Sequence, residues 1–193
     1  LVFRTDSTIL SELKPYLQSH YVTSHGVADL YVYFIEKGVS LLKQDGVYSM
    51  IVANKWMRVG YGEPLRCWMK QQRIEEIVDF KDMPVFKNAT TYTCILQLRR
   101  SNPHNGFVAT QVRTLDFSSL GEYVFNHQYK VIQSTLDDRG WSLSDESTLR
   151  LQNKLKSIVT ALRNYVDGAI CYGIKTGYNE AFVIDQLTRD QIV

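Results

Sequence analysis

The sequence is sparing in the features that place a protein quickly. Its three cysteines, Cys67, Cys94 and Cys171, are odd in number and far apart, which suits neither a disulfide framework nor a zinc cluster. Three reduced thiols are the expectation, as in a cytoplasmic protein. No apolar run approaches the roughly 18 to 20 residues that span a bilayer, and the opening residues do not read as a basic, apolar, small-residue leader. Neither membrane insertion nor export is expected. Net charge is nearly absent too. The 22 basic and 20 acidic residues leave +2, so bulk charge announces no nucleic-acid binder, although a local patch stays open. The four histidines, His20, His25, His104 and His127, stand in polar contexts without paired ligand spacing, so no metal is expected. There is no GxxxxGK[ST] and no GxGxxG after a strand. The two glycines of "GYGEP" precede a helix without a third and read as a turn. There is no internal repeat and no low-complexity tract.

What is present is a chain of 193 residues, 45% of them hydrophobic, long enough for one domain or for one and part of another. Residues 6–19 offer Asp6 or Ser7 as an N-cap for a helix with Ile9, Leu10, Leu13 and Leu17 at helical spacing, which Pro15 would kink or split. "DLYVYFIEKGVSLLKQDG" repeats the helical period through Leu30, Phe34 or Ile35, Leu41 and Leu42, and Asp45-Gly46 supplies a stop. "VYSMIVA" is short and rich in β-formers, and reads as a buried strand. "YGEPLRCWMKQQ" predicts a helix with Pro64 in its first turn, and "IEEIVDF" and "TYTCILQLRR" predict two more strands. Helices alternating with apolar strands indicate an α/β layer fold, whose ligands gather at the carboxyl ends of the strands.

After the "SNPHNG" turn cluster, "FVATQVRTL" is expected to pair as a hairpin with residues 91–99, and residues 114–147 read as a polar connection. A helix is expected over "STLRLQNKLKSIVTALRNYV", with Leu151, Leu155, Ile158, Leu162 and Tyr165 along one stripe and Ser144 or Ser147 as its cap. "AFVID" near the end reads as a strand.

Two loops invite chemistry. "VANKWMRVGYG" places Lys55, Trp56, Arg58 and Tyr61 after a strand, where cations and aromatic faces meet phosphates or bases; the plainer reading has Trp56 covering the core. "DMPVFKNATTY" carries Phe86, which is either a plug at the sheet edge or an exposed stacking ring.

In order, "ADLYVYFIEKGVSLLKQDGVYSMIVANKWMRVGYGEPLR", "IVDFKDMPVFKNATTYTCILQL" and "GIKTGYNEAFVID" resemble the adenine-specific DNA methyltransferases of bacterial type II restriction-modification systems, above all the single-chain enzymes that combine methylation, sequence recognition and often a nuclease. The match is poorest over residues 101–150. The resemblance implies the C-terminal half of a Rossmann-like methyltransferase sheet with flanking helices, plus the start of a target-recognition domain. The domain expectation is residues 1–113 for the half-sheet, 114–168 for a connection and linker helix, and 169–193 for the entry to recognition. It also implies S-adenosylmethionine as cofactor, double-stranded DNA as partner, a target adenine flipped from the stack, and Mg2+ only for a nuclease domain elsewhere. By motif position Phe86 is the aromatic that stacks on the flipped base. Asp29, Leu30 and Tyr31 fall near the family's cofactor and active site. Lys55 and Arg58 lie in a loop near substrate, and Lys175, Thr176, Tyr178 and Asn179 at the approach to DNA.

The sequence also departs from the family. None of its prolines, Pro15, Pro64, Pro84 and Pro103, forms the Asn-Pro-Pro-Tyr that grips the target amine, and the glycine-containing cofactor loop is missing. Since both precede "DLYVYF" in the family, the chain is expected to be an excised middle portion, inactive alone and prone to self-associate through an open sheet edge. A non-catalytic DNA-binding or assembly module on the same scaffold is the alternative.

Overall fold

Strands form where β-branched and aromatic residues alternate between two faces that both find cover. In the computed structural model, which describes residues 8–87, 91–169 and 185–192, they are β1 (Val47–Ala53), β2 (Arg73–Asp79), β3 (Thr93–Arg99), β4 (Gly106–Gln111) and β5 (Tyr129–Ile132). They make one mixed sheet in the order β1-β3-β2-β4-β5. β3 is antiparallel to β1 and β2, β4 parallel to β2, and β5 antiparallel to β4. Helices α1 (Thr8–His20), α2 (Leu30–Ser40), α3 (Glu63–Met69) and α4 (Leu120–His127) belong to a first compact unit, Leu1–Leu149. α5 (Glu146–Ile158) starts in that unit and ends in a second, Arg150–Val193, which also holds α6 (Leu162–Tyr165) and α7 (Gln186–Ile192). No helix among the described residues is long and apolar enough to cross a membrane.

One sheet face carries the main core. Cys94, Leu96 and Leu98 of β3 are fully buried there, with Ile77 of β2 and Ala109 of β4, beneath Val32 and Ile35 of α2 and Leu65 and Met69 of α3. Each such aliphatic side chain contributes about 1.5 to 3 kcal/mol by leaving water. Asp29 caps α2, its Oδ1 accepting from the Leu30 amide at 2.7 Å, and the helix then points Tyr31, Val32, Ile35 and Val39 inward at helical spacing. Gly38 lets α2 lie close to β1, because a Cβ there would come within 2.2 Å of the Tyr48 ring. The opposite sheet face has a smaller core in which Val78, Phe80 and Val112 meet Phe117 and the α4 residues Leu120, Tyr123 and Val124.

Several elements differ from expectation for identifiable reasons. "VYSMIVA" is a strand but not a buried one: β1 is the sheet edge, and Val47 and Ile51 are exposed. "FVATQ" does not pair with β3, because β1 and β2 already occupy both edges of β3; it pairs in parallel with β2 instead. Residues 114–147 are more than a connection, since they supply α4 and the edge strand β5. The α2 helix ends at Ser40, short of Asp45, which takes a left-handed turn (φ 62°) pinned to the end of β3 by Asp45 N to Arg100 O at 2.9 Å. α1 continues through Pro15, while the long helix expected after residue 146 breaks between Ile158 and Leu162. Its stripe of Leu151, Leu155, Ile158, Leu162 and Tyr165 is exposed. Asp145 caps that helix rather than a serine, accepting from the Thr148 amide at 2.7 Å. Asp6, Ser7 and residues 181–184 of "AFVID" lie outside the described residues.

Candidate functional site

The carboxyl ends of β1, β2 and β4 lie at one end of the sheet, as their pairings require. β1 passes directly into a turn, Asn54–Met57, that alternates outward and inward residues: Lys55 and Arg58 are exposed, Trp56 and Met57 buried. Trp56 is thus core, meeting Trp141 edge to face with ring centroids 5.2 Å apart. Only the two cations of this cluster are offered to solvent. Tyr61 turns inward as well, its hydroxyl 3.2 Å from that of buried Tyr31. Burial, and then this pairing, push the Tyr31 phenol well above its ordinary range.

A buried arginine shapes this loop. Arg66 of α3 is 1% exposed and spends its guanidinium on carbonyls: Trp56, Val59 at 2.9 Å and Asp138 at 2.7 Å. Burial lowers its pKa, with nearby Glu63 the largest opposing influence. Gly62 makes room for the arrangement, because a Cβ there would sit 2.1 Å from the Trp56 carbonyl oxygen. The same cage ties in the loop after β5, where Trp141 N donates to Met57 O at 2.7 Å.

β2 ends in Asp79, which is 2% exposed. Its Oδ1 accepts from Asn54 Nδ2 and from the Lys81 amide, each at 2.9 Å, and Asn54 Nδ2 also donates to Lys81 O at 2.9 Å. From there the chain leads to Phe86. Phe80, Met83 and Val85 face the smaller core, while Phe86 turns outward and is 47% exposed. The ring is thus half-buried and half open to solvent.

Beside these loops are two adjoining clefts. One, of about 300 Å³, is lined by Arg58, Asp79, Gln111, Trp141 and Leu143 among others. The other, of about 490 Å³, shares Gln111 and adds Arg113, Tyr123, His127, Tyr129 and Asp145. Gln111 Nε2 and the Tyr129 hydroxyl both donate to Leu143 O, at 2.8 and 2.6 Å. Burial raises the Tyr129 phenol to about 12, with the charge of Asp145 next in effect. Sequence reasoning missed these residues. The available signal was Gln111, a polar side chain at the carboxyl end of an apolar strand.

Of the other sequence-derived candidates, Asp29 caps α2, Leu30 is half-buried against the main core, and Tyr31 is inside it. Lys175, Thr176, Tyr178 and Asn179 lie outside the described residues. No group of three His, Cys, Asp or Glu side chains among the described residues is placed to hold a metal.

A mixed five-strand sheet with flanking helices and loops gathered at one end has counterparts among solved structures. The crystal structure of the type IIG restriction endonuclease BpuSI shares it over 81% of this chain and 21% of its own, with a TM-score of 0.56 at 13% identity. More particularly, residues 4–86 match the Eco57I restriction-modification methylase family. It is 28% identical over 179 residues to the type II restriction enzyme and methyltransferase RM.Eco57I of Escherichia coli, covering 88% of this chain and 17% of that protein. To the type II methyltransferase M.XhoI of Xanthomonas vasicola it is 24% identical over 186 residues, 89% of this chain and 34% of the relative. The chain therefore spans about a third or less of these relatives.

Proposed function

We propose that this chain is part of a sequence-specific DNA adenine methyltransferase of a restriction-modification system, acting on the exocyclic amine of an adenine flipped out of double-stranded DNA. The observation that carries this reading is Phe86: a half-exposed ring on a loop anchored at the carboxyl end of β2, inside the segment that matches the methylase family. A base drawn from the stack loses its stacking partners, and an aromatic face restores about 1 to 3 kcal/mol per base. Lys55 and Arg58, exposed beyond β1, are suited to the phosphates on either side of the flipped nucleotide. Lys175, Thr176, Tyr178 and Asn179 are proposed to approach the same duplex. The proposed domain division takes residues 1–113 as catalytic half-sheet, 114–168 as a connection that also supplies α4 and β5, and 169–193 as the entry to recognition.

S-adenosylmethionine, when bound, would supply the electrophilic methyl group. Of the residues expected near it, the Asp29 carboxylate accepts from its own helix and the Tyr31 hydroxyl is turned to Tyr61, which does not favour either as a direct ligand. With no Asn-Pro-Pro-Tyr in the sequence either, the isolated chain is proposed to be inactive, and the cofactor to be held by other parts of the full-length enzyme. A nuclease on the same polypeptide, as in the restriction enzyme and methyltransferase RM.Eco57I, and a cytoplasmic setting belong to the same proposal.

The reading is tested by Phe86→Ala in the full-length methyltransferase. Loss of one stacking face is expected to lower methylation by about 10- to 100-fold, with thermal unfolding unchanged because the ring is already half in water. Unchanged turnover would remove Phe86 from the site.

A further inference from the structure

We infer that Asp79 and Asn54 are positioning residues: together they form a latch that sets the loop carrying Phe86. The inference rests on the stacking role proposed for that ring. A loop of this length between antiparallel strands has many conformations open to it, and one exposed ring can serve as a stacking face only if the chain on either side is held. Here the chain is held at the exit by both side chains and at the return by the Asn54 backbone. At the exit, the Asp79 Oδ1 accepts from the Lys81 amide at 2.9 Å, which steadies Lys81 in a left-handed conformation (φ 52°) that a lysine seldom adopts. Asn54 Nδ2 closes the same turn from the side, donating at 2.9 Å both to Asp79 Oδ1 and to Lys81 O. At the return, the Asn54 amide donates to Tyr92 O at 3.0 Å, and Phe80 N donates to Thr93 O at 3.1 Å. One asparagine at the end of β1 thus grips both feet of the loop, and the buried carboxylate between them fixes its side chain.

The latch does more than close a turn. Asn54 directly precedes Lys55 and lies four residues before Arg58, so the pair also fixes the Phe86 loop relative to the exposed cations beyond β1. Asp79 lines the smaller cleft with Arg58. Hydrogen bonds to an ionised acceptor are the stronger kind, and a carboxylate 2% exposed has little water to turn to instead. Replacing it by an amide of the same shape weakens the grip without opening a cavity.

The experiment is a double-mutant cycle on methyl transfer by the full-length enzyme, combining Asp79→Asn with Phe86→Ala. If Asp79 acts through Phe86, Asp79→Asn alone lowers kcat by about 10-fold, within the loss that a misplaced group of 1 Å incurs, and leaves the cofactor KM unchanged. In the Phe86→Ala background the same substitution then lowers kcat by less than about 2-fold, since the ring it positions is gone. Equal losses in both backgrounds, or no loss in either, would overturn the latch while leaving the stacking role standing. An inert Phe86→Ala, by contrast, would defeat the stacking role itself. Should Asp79→Asn fail to fold, Asn54→Ala at the half-buried partner runs the same cycle with the same two readings.

Discussion

Arg66→Met tests the cage that shapes the loop beyond β1. Methionine keeps most of the apolar stem and removes the guanidinium that serves the carbonyls of Trp56, Val59 and Asp138. The Trp56 carbonyl is bonded in a fully buried contact and loses its donor outright, at about 2 kcal/mol; the other two, in partly buried contacts, regain some water and lose about 1 kcal/mol each. Relief from burying the cation returns about 1 kcal/mol, so the net loss is about 3 kcal/mol. Trp56, Trp68 and Trp141 all fall in the first unit, so tryptophan fluorescence during urea unfolding reports this unit alone. With a slope of about 2 kcal/mol per molar urea, the midpoint should fall by about 1.5 M. Arg66→Lys, one compact charge that cannot span three carbonyls, should lose about half as much. A fall under about 0.5 M at unchanged slope for Arg66→Met would refute the claim that this guanidinium holds the loop.

Alkaline conditions should weaken the fold. Burial raises the Cys94 thiol from about 9 to about 12, so between these values the folded chain keeps a proton that the unfolded chain has released. Stability is fully present below about 9 and falls as pH rises toward 12, with Tyr129 adding to the loss from about 10 upward. Urea midpoints at pH 8 and pH 10 should show the drop, and Cys94→Ala should shrink it; a midpoint that rises with pH would contradict the burial argument. The outer edge of β1 has no paired strand among the described residues, and Val47 and Ile51 are exposed there. The isolated chain is therefore expected to self-associate, seen as a concentration-dependent mass in light scattering and suppressed by Ile51→Lys; a constant monomer mass at high concentration would argue against it.

How much of this was legible beforehand differed from segment to segment. β1, β2 and β3 stood where runs such as "VYSMIVA" and "TYTCILQL" put them, because period and propensity agree there. What these runs could not say was which strand is an edge. That depends on partners distant in sequence, so "VYSMIVA" was read as buried and "FVATQ" was paired with β3. α4 and β5 escaped notice because they are short and their cover comes from the rest of the sheet. At the site, Phe86 and the exposed pair Lys55 and Arg58 were visible as residue types in loops. Asp79 and Asn54 were not, since a single Asp and a single Asn at two strand ends carry no pattern until the sheet brings them to 2.9 Å. Arg66 was hidden similarly, reading as an ordinary helical cation.

The central claim is the chemistry proposed for the full-length protein. Methylation of double-stranded DNA with isotopically labelled S-adenosylmethionine, followed by digestion to nucleosides and mass spectrometry, tests it directly. Label is expected in N6-methyladenine, at one sequence context, and strongly diminished in Phe86→Ala. Label in a methylated cytosine, or none on DNA at all, would contradict it.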